Sequence, residues 1–192
     1  MTKKELYYKV ARLFYPVAIY YWATWSKVLR SLTRLRGMDL LRGLGPLHAQ
    51  GLMDQLPWAA DRWSDLWDGA SDPTKFQRAL DIKQTGGYVV DESRDCDDFA
   101  GWAACVLDEK YHARIMTVAY QGEATSSISG HVVCLYIDPA DNNYYHMGNW
   151  GIRGKYPTIL SAARGVAHEA KAKLVGYAVL QKNLDVDHIV RA

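Results

Sequence analysis

Asp95-Cys96-Asp97-Asp98-Phe99-Ala100-Gly101-Trp102-Ala103-Ala104-Cys105-Val106-Leu107, followed by His112-Ala113-Arg114-Ile115-Met116-Thr117-Val118, is where the hydrophobic period of the chain changes. Phe99, Ala100, Ala103, Ala104 and Leu107 recur at helical spacing, so a helix is expected from about Cys96 to Glu109. Most of these residues are small, which implies that the helix packs closely on its neighbour. Beyond it, Ile115 to Tyr120 reads as a strand, as do His131 to Ile137, Tyr144 to Asn149 and Leu174 to Leu180, all rich in Val, Ile and Tyr. A helix from about Thr158 to Lys173 separates the last two. Helices come first and a mostly antiparallel sheet follows, an α+β order rather than an alternating doubly wound one.

Upstream, residues 51 to 91 are rich in Trp and Asp, with Trp63 and Trp67 four apart on one helical face. Asp72-Pro73 marks the start of a short helix through Phe76 and Leu80, and Gly86-Gly87 breaks it. The first 48 residues carry nine Lys or Arg against Glu5 and Asp39 alone, although the whole chain of 192 residues is close to neutral at a formal charge of +2. Residues 1–50 therefore read as a basic, aromatic helical arm, and 51–192 as the main domain. Two readings of the arm stay open. Either its aromatic face packs on the domain, or it meets an anionic membrane surface, a nucleic acid or an acidic partner. Sequence-specific nucleic-acid binding is not expected.

The length suits one domain with a sizeable core. Cys96, Cys105 and Cys134 are sparse and odd in number, without CxxC pairing, so neither a disulfide framework nor a structural zinc site is expected. The apolar run from Leu13 to Trp25 is interrupted by Pro16 and is shorter than the roughly 20 residues that cross a bilayer. No signal peptide is read there, and the expected compartment is reducing and cytoplasmic.

Cys96 stands where a sulfur nucleophile is useful, since the first turn of a helix stabilises a thiolate through the helix dipole and offers backbone N–H groups to an oxyanion. Asp95, Asp97 and Asp98 crowd the same turn and oppose a thiolate, so a cationic partner is needed. His131, at the start of a strand, is that partner and the base; Val133, Leu135 and Ile137 share its face, and Val132, Cys134 and Tyr136 take the other. Asp138-Pro139-Ala140-Asp141-Asn142-Asn143 forms a hairpin turn. If that loop has an odd residue count, Asn149 lies beside His131 and on its face, while His146 faces away. Cys105 and Cys134 read as buried small hydrophobes, and His112 as a surface or capping residue. A metal site built from Cys96, His131 and an Asp matches no zinc spacing, so neither a metal nor another cofactor is expected.

The stretch from Asp95 to Ala100, the small-residue helix after it, and the entry to the strand through Ala113-Arg114 resemble the central motif of the transglutaminase-like superfamily. Gly130-His131-Val132-Val133 is similar to that family's histidine strand. Gly148-Asn149-Trp150-Gly151 stands in the place of its third residue, usually Asp, and looks closer to the Asn motif of papain-like peptidases. The resemblance runs from about Gln84 to Gly151, with Arg94 standing where many members have Gly. It implies a papain-like fold, with the Cys-bearing helix central on an antiparallel sheet.

It also implies a cysteine hydrolase, a peptidase or amidase, that cleaves a peptide or isopeptide amide of a peptide or protein substrate through Cys96, His131 and Asn149 and a thioester. Relatives that transfer the acyl group, and an inert binding module on the same fold, are the alternatives. Gln84 and Tyr88 are the positions considered for a further oxyanion donor.

Overall fold

Asp95 begins the central helix: its backbone is extended and its carboxylate accepts the N–H of Asp97, which caps α4 (Cys96–Val106). In this computed structural model, which describes residues 2–58, 70–87, 89, 95–122 and 127–192, four further helices and six strands surround it. They are α1 (Lys3–Thr33), α2 (Pro46–Met53), α3 (Pro73–Gln84) and α5 (Ile159–Glu169), with β1 (Arg114–Gly122), β2 (Ile128–Ile137), β3 (Tyr144–Gly148), β4 (Gly151–Tyr156), β5 (Ala172–Leu180) and β6 (Val186–Arg191). Trp63, Trp67, Tyr88 and Arg94 lie outside the described residues.

The strands form one antiparallel sheet in the order β4-β3-β2-β1-β5-β6. Strand alternation gives it two apolar faces. Ile115, Cys134, Tyr136 and Met147 share a core with Phe99, Trp102 and Val106 of α4, and with side chains of α1, α2 and α3. Met116, Val118, Val133, Leu135 and Val179 pack instead on Ala162, Ala163 and Val166 of α5. The α+β expectation and the placing of the Cys-bearing helix against an antiparallel sheet agree with this architecture.

Helix α1 runs unbroken through Pro16 and begins with a reciprocal Thr2–Glu5 capping box. Its inner residues Tyr15, Ile19 and Ala23 belong to the α4-side core, and the Tyr15 hydroxyl bonds Thr117 on β1 through both Oγ1 (2.9 Å) and the carbonyl (3.2 Å). The inner face of the basic segment is thus packed on the sheet.

Several boundaries move for local reasons. Helix α4 ends at Val106, because Leu107 is extended, and a 3-10 turn (Glu109–Tyr111) follows with exposed His112 as its left-handed cap. Thr158 is the N-cap of α5 rather than part of it, and Lys171 at positive φ stops the chain from continuing as helix. The edge strands β4 and β6 escaped the sequence reading, since Gly151-Ile152-Arg153-Gly154 has a weak strand composition and both strands are only partly buried.

Candidate functional site

A cavity of about 500 Å³ lies where the start of α4 meets the sheet. Cys96 and Asp97 line it from α4, Tyr15, Ile19 and Trp22 from α1, and Ser129 to Val132 from β2. Cys96 and His131, more than thirty residues apart in the chain, therefore line the same cavity, although strand alternation sets the His131 side chain with Val133 and Leu135 on the α5 face of the sheet while α4 packs on the other face. Of the other cysteines, Cys134 is fully buried, and burial raises the thiol pKa of both Cys134 and Cys105.

His131 is 5 % exposed, and burial pushes its pKa down to about 4, against a weaker upward pull from the Asp95 carboxylate. At neutral pH the ring is uncharged. Its buried Nε2 has no hydrogen-bond partner among the described residues. The sequence cast this imidazole as the cation for Cys96; burial leaves it uncharged instead.

The register of the β2–β3 hairpin corrects the third position. Cys134 pairs with Met147 and Leu135 with His146, so the connecting segment, 138 to 143, has six residues. The odd count that would set Asn149 beside His131 is not met. Beta-strand β3 ends at Gly148, which pairs with Gly151, and Asn149-Trp150 form the two-residue turn between them. Asn149 Oδ1 is buried and accepts no hydrogen bond among the described residues, so it does not hold the imidazole. Trp150 occupies that place: its ring stacks on His131 with centroids 3.8 Å apart and planes 16° apart.

The same even count turns His146, expected to face away, onto the face of Leu135 and His131. It is 1 % exposed, stacks on Tyr156, and has its pKa lowered to about 4 by burial and then by His131. At the level of His131, β3 has already ended. The ring lies at a corner of the sheet, near Gly148 and Trp150.

Gln50 of α2 supports that corner. Its Nε2 donates to the Gly148 carbonyl (3.2 Å) and to Asp54 (2.7 Å), fixing the end of β3 from which the Asn149-Trp150 turn leaves. A lone glutamine in a short apolar helix gives no spacing signal from which this could be read. Gln84, weighed as an oxyanion donor, is instead exposed at the end of α3.

The acidic turn around Cys96 lies in the field of Arg30 of α1, which the sequence reading did not connect with it. Ligand oxygens of Asp95, Asp97 and Asp98 lie within 4.8 Å of one another, the one grouping dense enough for a metal among the described residues. Asp95 caps Asp97 N–H, Asp98 accepts the Ser71 N–H (2.9 Å) and hydroxyl (2.6 Å), and the buried Arg30 guanidinium lies in the field of Asp72, Asp97 and Asp98. Arg30 sits over Gly101, where a Cβ would be 2.6 Å from its Nη2, and it donates to the Lys182 carbonyl (2.6 Å). Burial and the neighbouring Asp95 raise Asp98 to about 6, despite its hydrogen bonds from Ser71.

No protein-family model, curated protein or solved structure matches this chain.

Proposed function

We propose that the chain is a cysteine-dependent hydrolase acting on a peptide or isopeptide amide, with Cys96 as nucleophile and His131 as base. One observation carries the reading: Cys96, at the first position of α4, and His131 of β2 both line the same cavity. His131 takes the Sγ proton as sulfur attacks the amide carbonyl carbon, and the oxyanion sits at the start of α4, where the helix dipole is positive. The C–N bond then breaks, the imidazolium gives its proton to the leaving amine, and a thioester remains. Water, deprotonated by His131, attacks the thioester and releases the acid and Cys96. An amine entering in place of water makes the same site an acyl transferase.

Trp150 is the positioning residue, holding the ring flat and excluding water from one side of it. A second reading, a non-catalytic module with this architecture, is favoured by Asn149, whose Oδ1 makes no bond to the imidazole.

Site-resolved alkylation by iodoacetamide across pH separates the two. The hydrolase predicts selective modification of Cys96 with an apparent pKa well below about 8.5. If the imidazole accepts the Sγ proton, His131→Ala slows that modification. Reactivity equal to a free thiol's and insensitive to His131→Ala supports the module.

A further inference from the structure

Helix α1 is packed on one side only. Between Leu6 and Leu32, ten large apolar side chains on α1 are 44–74 % exposed. At 100° per residue, Leu13, Phe14, Val17, Tyr20 and Tyr21 all fall within the half of the helix opposite Tyr15, Ile19 and Ala23. A helix of 31 residues extends about 46 Å, and along this length the outward half is apolar apart from Lys3, Thr24 and Ser31. Monomers rarely leave so long a continuous apolar face in water.

Charge decides what fits it. Lys3 on the outward half and Lys9 at its edge are exposed near the beginning of the helix, and Arg34 and Arg36 just beyond its end. Glu5 is the one acid in α1. A second copy laid against this face would bring Lys and Arg without acids to meet them, so the face is not self-complementary. Nucleic acid suits it no better, because the centre of the face offers no cation to track phosphates. An apolar, aromatic centre with cations toward both ends suits a bilayer interface, where the centre enters the acyl boundary and the cations reach anionic headgroups. Spanning the bilayer is a different matter: no helix among the described residues is long and apolar enough to cross a membrane.

We infer that the outward face of α1, centred on Phe14 and Val17, docks the protein on an anionic lipid surface. Its inner residues Tyr15, Ile19 and Trp22 line the cavity shared by Cys96 and His131. Docking therefore holds that cavity about one helix diameter, roughly 10 Å, from the headgroups.

The test is co-sedimentation of the full chain with vesicles of phosphatidylcholine alone and of phosphatidylcholine mixed with phosphatidylserine, alongside light scattering without lipid. The expected result is binding to the mixed vesicles that weakens with salt, in a protein that is monomeric without them. Phe14→Asp with Val17→Asp reduces binding at least tenfold without changing near-UV circular dichroism, and Lys3→Glu with Lys9→Glu reduces it several-fold. Should the first pair disturb folding, Val17→Ser alone gives the same direction.

Three results overturn the inference: no binding to mixed vesicles, equal binding to both kinds, or a dimer that Val17→Asp dissociates, which assigns the face to a second copy. Cys96 takes no part in these readouts, so they stand or fall separately from the catalytic reading.

Discussion

The imidazole of His131 lies flat on the indole of Trp150, with centroids 3.8 Å apart. Burial is the main reason that the ring titrates near pH 4, and the indole covers one of its faces. Trp150→Ala should therefore hydrate the imidazole and move its pKa upward, toward 6.5. An NMR titration of the His131 ring protons reads this directly, and Trp150→Phe should restore part of the depression. An unchanged pKa in Trp150→Ala would show that the stacking has no hold on the titration.

His131 and His146 are both held neutral in the fold, at about 4 against an ordinary 6.5. The unfolded chain binds more protons than the folded one between those values, so each ring makes stability rise with pH across that window, by at most about 1.4 kcal/mol per pH unit. Asp98, raised to about 6, acts in the opposite direction over part of the range, as does the raised Glu169. A difference measurement isolates the histidine effect. Urea midpoints of His146→Phe between pH 4 and 7 should rise less steeply with pH than those of the parent, and an identical slope would contradict the burial argument.

How much of this could be read beforehand differs from residue to residue. The start of α4 at Cys96, its small side chains and the alternation of β2 are local signals, and each holds in the structure. The hairpin register is not local in that sense: one residue in the 138–143 loop decides whether Asn149 or His146 shares the face of His131, and turn-forming composition alone does not fix the count. Arg30 was illegible for another reason. Nothing near it in sequence shows that α1 will bring it over Gly101, where the missing Cβ leaves room for the guanidinium beside the acids flanking Cys96.

The seat of α1 on the sheet can be tested at Gly176 of β5. A Cβ there would lie 2.7 Å from Tyr15 Cδ1 and 2.8 Å from the Val190 carbonyl oxygen, so a ring on one side and backbone on the other leave it no room. Gly176→Ala must displace Tyr15 or separate β5 from β6, and should cost about 1–3 kcal/mol in urea unfolding. Tyr15→Phe keeps the ring and loses only the bond to Thr117, for about 1 kcal/mol. Equal losses for the two variants would contradict this close packing.

Arg30 permits a sharper test, because its effect should depend on the charge state of its neighbours. Asp72, Asp97 and Asp98 all favour its charged form, and the guanidinium is largely removed from water. Arg30→Met keeps much of the packing and removes the charge together with the bond to the Lys182 carbonyl, and should cost about 1–3 kcal/mol. Without the cation, protonation of Asp98, already raised to about 6, becomes still easier. The folded state then gains protons as pH falls, and the penalty shrinks. Chemical unfolding should show the largest loss at pH 8 and a clearly smaller one at pH 5. A loss equal at both values would mean that Arg30 acts through packing alone, leaving the acidic turn around Cys96 to be neutralised by some other group.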